Sequence, residues 1–287
     1  MLLVLPVVTA CSATKAADNS VDAGWERRTF SVSKFSAISA GNRVRVVYTP
    51  GASRPKVTAE VREDWADDLS VTVEDGVLRI NLEKRRKARN NRGQAVATLY
   101  VEGPDVESVD TYSGADFAAT RKLETGSLRI QASSGSRLTL KGFDGTNLRA
   151  GLSSGSRAEL GTVRCSSFRA ETSSGALLSA DRAENLQELD LEATSAARIE
   201  LGGDVSATNV DLSAGSGGHV GLPRGLEAGR LRLDLSSGGR LEMGSLAGHE
   251  VTGSVSSGAR VSSGRTEADK INVRCSSGGR ATWRSED

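Results

Sequence analysis

Six arginines recur along the second half of the chain and could bind an anionic ligand. They lie at intervals of 20, 41, 42, 20 and 20 residues, at Arg137, Arg157, Arg198, Arg240, Arg260 and Arg280. A guanidinium group forms bidentate hydrogen bonds with carboxylates and phosphates, so a row of arginines suits an extended polyanion. We predict that this row binds an acidic glycan or the phosphates of lipopolysaccharide. The alternative is that Glu159, Glu200 and Glu242 already neutralise a merely solvated surface.

Acidic side chains form a second candidate for chemistry. Four of them, Glu171, Asp190, Glu192 and Asp211, alternate with apolar residues and are flanked by arginines at 129, 149, 169 and 232. Paired carboxylates supply the general acid and base of polysaccharide-cleaving enzymes. No aromatic residue accompanies these acids as a sugar platform. We therefore predict no catalytic residues here and interpret the acids as part of a charge-balanced surface.

Serine, histidine and cysteine provide no further catalytic or metal-binding pattern. A serine precedes every repeated glycine described below, but the only histidines are His219 and His249, and neither is spaced to activate that series. The cysteines Cys11, Cys165 and Cys275 are equally scattered. Zinc sites need clustered ligands at short spacings. We predict no metal and no cofactor, and we interpret the serines as part of the packing.

A short phrase repeats through the same part of the chain and predicts the architecture. Ser-Ser-Gly, followed by a small residue, recurs with glycines at 135, 155, 175, 238, 258 and 278, and degenerate copies centre on 114, 196 and 217. Successive anchors lie 20 or 21 residues apart. A fixed period of this size is typical of stacked supersecondary units, as in a solenoid.

Apolar residues occupy fixed places relative to each anchor. Counting from the anchor, offsets −7, −5, +3 and +5 are apolar in the last eight copies except at Gly253 and Ser263. Alternation with a period of two is typical of strands with one buried face. Each coil should therefore contain two strands that meet at the Ser-Ser-Gly corner, followed by an irregular third side marked by Phe143 and Val163.

The fold predicted from these patterns is all-β, a parallel β-helix with coils of about 20 residues. Strands in adjacent coils would stack ~4.8 Å apart. Cys165 and Cys275 would then be five coils apart, too far for a disulfide, and Cys275 would face the core. The offset +2 position, which holds the six arginines, would point outward. Trp283 would plug the last coil.

Residues 25–112 are also strand-like but lack the repeat. The candidate strands are Phe30–Phe35, Arg43–Tyr48, Lys56–Val61, Leu69–Val73, Val77–Leu82 and Ala97–Val101. Glu74-Asp75-Gly76 should form a hairpin turn. We predict that residues 25–112 form an irregular N-terminal β region that closes one end of the solenoid, and that residues 113–287 form the repeats.

The first 24 residues indicate export. Residues 1–11 end in Val-Thr-Ala-Cys, which is similar to a lipobox, so we predict lipidation at Cys11 and a flexible tether at residues 12–24. The stretch is short and lacks a basic segment, and we expect it to be the end of a longer signal peptide. The partner would be the membrane, through the lipid anchor. The basic run Lys84–Arg92 should be a solvated hairpin loop or, alternatively, a contact for anionic headgroups.

The charge balance argues against one class of partner. The chain has 37 basic and 36 acidic residues, with a net charge of +1. A balanced surface gives no general attraction to nucleic acid, and no aromatic residues are interleaved with the basic ones. We predict no nucleic-acid partner.

The chain from about Phe30 onward resembles the family of auto-transporter adhesin "head GIN domain" proteins, a bacterial domain of unknown function. The resemblance lies in the segments starting at Phe35, Asn42, Val73, Val101 and Ser113, with sequences FSAIS, NRVRV, VEDGVLRI, VEGPDVESV and SGAD, and in the Ser-Gly-Ser/Ala repeats. It implies an exported protein, often a lipoprotein, with a right-handed β-helix. It carries over no catalytic residues.

These observations predict an exported cell-envelope lipoprotein, anchored in the outer membrane, with a non-catalytic adhesin-like or structural role. Two alternatives stay open on the same scaffold. One is a polysaccharide-cleaving enzyme, and the other is a module that assembles end to end through the ends of the solenoid.

Overall fold

The structure, a computed structural model, describes residues 13–15, 24–83 and 95–284. Strands dominate this part of the chain, and its one helix is a short 3₁₀ segment, Glu63–Asp68. The first ten strands are β1 Ala13–Lys15, β2 Trp25–Phe30, β3 Ala37–Ala40, β4 Arg45–Thr49, β5 Lys56–Arg62, β6 Leu69–Glu74, β7 Val77–Leu82, β8 Ala97–Glu102, β9 Ser108–Thr111 and β10 Asp116–Ala119. No helix of the described chain is long and apolar enough to cross a membrane.

The remaining strands follow the repeat. They are β11 Leu123–Glu124, β12 Ser127–Ala132, β13 Arg137–Asp144, β14 Asn147–Leu152, β15 Arg157–Arg164, β16 Ser167–Thr172, β17 Leu177–Glu184, β18 Glu188–Ala193, β19 Arg198–Leu201, β20 Asp204–Ala214, β21 His219–Leu222, β22 Gly225–Leu235, β23 Arg240–Val255, β24 Arg260–Cys275 and β25 Arg280–Arg284. Every pairing from β12 onward is parallel. The fold is the predicted parallel β-helix, with about eight turns.

The strands form two long in-register stacks that meet at the Ser-Ser-Gly corners. The pre-corner stack contains the strands before each corner, where Leu128 pairs with Leu148 and Leu148 with Phe168. The post-corner stack contains the strands after it, where Leu138, Ala158 and Leu178 lie in register. The predicted inward columns are buried through seven coils, apart from half-buried Gly253, and they form one continuous core.

Each corner is a tight turn with two residues in the left-handed region. The serine before the anchor has φ between 48° and 54°, and the anchor glycines have φ between 70° and 79°. Two consecutive positive φ values define a type I′ turn, closed at the first repeat corner by the Ser136 amide, which donates to the Ser133 carbonyl at 3.2 Å. The Gly135 amide donates to the Ser154 carbonyl of the next coil at 3.0 Å. The corners therefore form a hydrogen-bonded ladder along the axis.

At two of these corners, inward-facing serines form hydrogen bonds with the backbone of the preceding coil. Ser136 and Ser156 are buried, at 1% and 0% exposure. The Ser156 hydroxyl donates to the Ala132 carbonyl at 2.8 Å, and the Ser136 hydroxyl donates to the Thr111 carbonyl at 3.1 Å. These hydroxyls therefore bond to backbone carbonyls near the corner from the position after the glycine.

The N-terminal strands continue both stacks. β3 and β4 flank a corner at Asn42 and Arg43, where φ is 55° and 63°, and pair in parallel with β9 and β10. Beyond them, β7 and β8 are parallel to β3 and β4. The outer strands β6, β5, β2 and β1 are antiparallel to their neighbours.

Two N-terminal strands begin at residues other than those predicted, and three more, β5, β6 and β8, end one residue later than predicted. The strand expected at Phe30–Phe35 lies at Trp25–Phe30, because pairing with β5 determines its extent. The strand expected from Arg43 begins at Arg45, because Arg43 belongs to the corner. The predicted hairpin turn at Glu74-Asp75-Gly76 is confirmed, since β6 and β7 pair antiparallel across it.

The last coil corrects the prediction for Cys275. Its position is inward in register, opposite buried Val255, yet the side chain is exposed. Ile271, in the same coil, is 38% exposed, and Trp283 is only partly buried against the core. Among the described residues no strand pairs with the outer edge of this coil, so its inward side chains lack a covering layer.

Candidate functional site

The six predicted arginines form one ridge on the outer face of the post-corner stack. Each begins a post-corner strand, immediately after its corner, so the parallel register places them in a single column. The column continues through half-buried Leu177 and His219. In order it runs Arg137, Arg157, Leu177, Arg198, His219, Arg240, Arg260 and Arg280. We call this column the arginine ridge.

The arginines of the ridge differ in their ion pairing. Arg198 contacts Glu200 at 3.2 Å, and Arg240 contacts Glu242 at 3.8 Å. The other four, Arg137, Arg157, Arg260 and Arg280, are exposed and have no carboxylate within 4.0 Å among the described residues. They form two adjacent pairs, one toward each end. Glutamates therefore pair with the two central arginines and leave two arginines toward each end without a carboxylate partner in the described chain.

The structure extends this column in a way that sequence reasoning missed. Arg45 pairs in register with Asp116, and Asp116 with Arg137. Arg45 Nε contacts Asp116 Oδ2 at 3.2 Å, so this extension adds no unpaired charge. The Asn42–Arg43 corner carries no serine–glycine phrase, which is why the sequence pattern did not align Arg45 with the other arginines.

His219 is the titratable group of the ridge. Burial lowers its pKa from the ordinary 6.5, and Arg198 and Arg240 lower it further. Glu242, whose Oε2 lies 4.0 Å from His219 Nε2, and Glu200 act in the opposite direction. The net lowering keeps the imidazole neutral at pH 7, so His219 adds no positive charge to the ridge there.

The acidic surface lies on the outer face of the pre-corner stack, and two of its four carboxylates form ion pairs with an arginine. Arg169 contacts Glu171 at 2.7 Å and Asp190 at 3.0 Å. Burial raises the pKa of Asp190, and Arg169 opposes this effect while Asp211 and Glu171 add to it. No group of three or more potential metal ligands occurs in the described part of the chain. This arrangement agrees with a charge-balanced surface.

The remaining residues singled out in the sequence are the three cysteines and the basic run. Cys11 and the basic run Lys84–Arg92 lie outside the described residues, and so does most of the predicted tether. Cys165 and Cys275 are both free thiols. Burial raises the pKa of the Cys165 thiol to about 11, which leaves it protonated at neutral pH.

Solved structures share this architecture. A "putative adhesin" from Parabacteroides distasonis ATCC 8503 is 14% identical with a TM-score of 0.64, over 92% of this chain and 96% of that one. A "putative adhesin" from Parabacteroides merdae ATCC 43184 is 12% identical with a TM-score of 0.59, over 91% and 96%. A "putative lipid binding protein" from P. distasonis ATCC 8503 is 13% identical with a TM-score of 0.54, over 91% and 97%. At such identities the similarity concerns the fold.

The sequence itself matches a family model. No curated protein matches the chain. The model described as "Putative auto-transporter adhesin, head GIN domain" matches residues 34–187 and again residues 182–287. Together these matches span the chain from residue 34 onward, which includes β3 and all the repeats. The chain therefore belongs to the head GIN domain family, as the segments and repeats in its sequence indicated.

Proposed function

We propose that this protein is a non-catalytic, adhesin-like binding protein of the cell envelope whose arginine ridge binds an acidic polysaccharide or the phosphates of lipopolysaccharide. The observation that carries the proposal is the presence of four exposed arginines without a carboxylate partner in the described chain. Family membership supports the adhesin-like role.

Ridge geometry favours an extended polyanion over a single small anion. Arg137 and Arg157 occupy neighbouring strands, as do Arg260 and Arg280, and neighbouring strands lie ~4.8 Å apart. Like charges at that distance repel each other, and a bound phosphate or carboxylate would relieve the repulsion. Five strand steps, roughly 24 Å, separate Arg157 from Arg260. A polymer with repeated anionic groups could contact both arginine pairs at once, with a gain from multivalency.

The proposed location follows from the same role. An adhesin-like protein would be exported, and lipidation at Cys11 would anchor it to the outer membrane. Lys84–Arg92 would then be a basic segment available to anionic headgroups. Labelling growing cells with a palmitate analogue tests the anchor, because a Cys11→Ser variant should lose the label and appear in the soluble fraction.

A binding assay with matched variants tests the ridge. Immobilised lipopolysaccharide, before and after enzymatic removal of phosphate, is titrated with the wild type and with Arg137→Ser/Arg157→Ser. We expect the double variant to bind about tenfold or more weakly, since charge-assisted hydrogen bonds contribute about 1.5–3 kcal/mol each. The matched control is Arg198→Ser/Arg240→Ser, which removes the same charge from arginines that already have partners and should cost less.

Two outcomes would count against the proposal. Equal losses in the two double variants would mean that net charge, and not the unpaired arginines, determines affinity. Binding that does not change when phosphate is removed or salt is raised would exclude an ionic interaction.

The same samples, incubated with acidic polysaccharide, report on the enzymatic alternative, because a cleaving enzyme would release reducing ends.

A second candidate function is end-to-end assembly, and the last coil favours it. Ile271 and Cys275 are exposed at inward positions, and among the described residues the outer edge of β24 beyond Thr266 has no partner strand. An unpaired strand edge with apolar side chains is a template for pairing with another chain. Light scattering should then show mass increasing with concentration, and Ile271→Lys should abolish the increase. A mass that stays monomeric at all concentrations would exclude this function.

A further inference from the structure

A groove on the other side of the corners is a separate candidate binding site. It encloses about 540 Å³ on the outer face of the pre-corner stack. Its floor is an in-register column, one residue from each of five coils: Asp110, Gln131, Gly151, Glu171 and Glu192. Four strand steps give the floor a length of roughly 19 Å. Its rim is the corner column of Tyr112, Ser133, Ser153, Ser173 and Thr194.

Polar side chains at one end of the groove do not form hydrogen bonds with one another. Asp110, Tyr112, Arg129 and Gln131 form no side-chain hydrogen bond to any described residue. Burial raises the pKa of the half-buried Asp110 carboxyl, and Arg129 and Arg79 only partly offset this. Asp110 and Tyr112 are half-buried, and Arg129 and Gln131 are exposed. All four side chains line the groove and are free to bond to a ligand that enters it.

Two glycines shape this end of the groove. A Cβ at Gly151 would lie 2.9 Å from Gln131 Nε2, so the missing side chain leaves room for the amide. A Cβ at Gly41 would collide with the ring of Tyr112, so Gly41 allows the ring to lie on the preceding coil. Tyr112 stands where the other corners have serine, threonine or glycine, which gives this corner an aromatic residue that they lack.

We propose that this groove binds a neutral saccharide, with one sugar ring against Tyr112 and its hydroxyls bonded to Asp110, Gln131 and Arg129. A carboxylate accepts hydrogen bonds from neighbouring hydroxyls, an amide both donates and accepts, and an aromatic ring packs against the apolar face of a sugar. The floor carries three carboxylates, which disfavour an anionic ligand. This site is therefore distinct in chemistry and position from the arginine ridge.

The lining of the groove disfavours a peptide ligand. A peptide that adds a strand needs an open sheet edge. Each strand under the groove, β9, β12, β14, β16 and β18, is paired on both sides. The rim also offers hydroxyls where side-chain recognition would need apolar pockets.

The test is an array of neutral oligosaccharides built from hexoses and N-acetylhexosamines, probed at high salt to suppress the ridge. Titration calorimetry with the best-bound oligosaccharide then compares the wild type with Tyr112→Ser and Asp110→Ser, both of which introduce a residue that other coils carry in the same column. We expect each to weaken binding by about tenfold. Asp234→Ser, in the same column but outside the groove, is the matched control and should stay within about twofold of the wild type.

Several results would overturn the proposal. One is an array on which no neutral oligosaccharide binds the wild type. Another is binding that survives both substitutions, or that falls equally in the Asp234→Ser control. If Tyr112→Ser does not fold, as judged by circular dichroism, Gln131→Gly decides in its place, because Gly151 shows that the column accepts glycine. If Arg137→Ser/Arg157→Ser binds the neutral oligosaccharide as tightly as the wild type does, the groove is a binding site separate from the ridge.

Discussion

Backbone conformation alone explains the glycine at the corner anchor. At Gly135, Gly155 and Gly175 an added Cβ would meet nothing within 4 Å, so space is not the constraint. The constraint is φ, which is close to 70° at these positions. One corner deviates, because Ala196 occupies the anchor with φ of 60°. An L-residue with a Cβ is disfavoured in the left-handed region by roughly 1–2 kcal/mol.

Ala196→Gly should therefore stabilise the protein by about 1 kcal/mol, and Gly175→Ala should destabilise it by a similar amount. Urea denaturation followed by circular dichroism measures both. Ala176→Gly makes the same chemical change where φ is not positive, and we expect it to lower the free energy of unfolding. If Ala196→Gly behaves like Ala176→Gly, the explanation of the corner is wrong.

His219 makes stability depend on pH. Its pKa is lower in the folded protein, mainly through burial, than the 6.5 typical of an unfolded chain. Above that pH both states hold a neutral imidazole and the residue contributes no pH dependence. As pH falls below about 6.5 the unfolded state takes up the proton first, so stability decreases until the folded pKa is passed. Denaturation midpoints between pH 7 and 5 should fall less in His219→Asn than in the wild type, and parallel curves would contradict this.

At the scale of the element, the strand columns were predictable and the exceptions have local causes. Alternation with a period of two fixed the inward positions, because a strand that buries one face has no other arrangement. The exposure of Cys275 was missed because the prediction considered only its inward position, and no described strand covers that position in the last coil. The sequence analysis found no aromatic residue beside the acids, yet Tyr112 lines the same groove as Glu171 and Glu192. Its signal was present, because it is the one aromatic residue before a corner serine.

Reactivity of the two described thiols tests this account of the coils. Cys165 is buried with a raised pKa, whereas Cys275 is exposed. Under native conditions at neutral pH a maleimide should modify Cys275 and leave Cys165 unmodified, as read by peptide mass spectrometry. Both should react in denaturant. Rapid native labelling of Cys165, or protection of Cys275 in the monomer, would contradict the burial of the coils.

At the scale of the whole molecule, the β-helix converts a one-dimensional repeat into columns of residues that share one offset in each coil. The first outward position after each corner forms the arginine ridge. The outward positions before the corners form the groove, which has hydroxyls on its rim. Sequence spacing predicted the ridge because its residues share an offset. It could not predict which arginines are paired, since Glu159 and Glu200 occupy equivalent positions and only Glu200 forms an ion pair with its arginine.

The most direct test of the central claim is the salt dependence of lipopolysaccharide binding. The slope of log affinity against log salt concentration reports how many charged contacts form. Substitution of Arg137, Arg157, Arg260 and Arg280 by serine should reduce its magnitude, because fewer counterions are released when fewer arginines contact the ligand. Arg198→Ser/Arg240→Ser should change it much less per arginine removed. A slope that stays the same in the quadruple variant would contradict the claim that these four arginines bind the ligand.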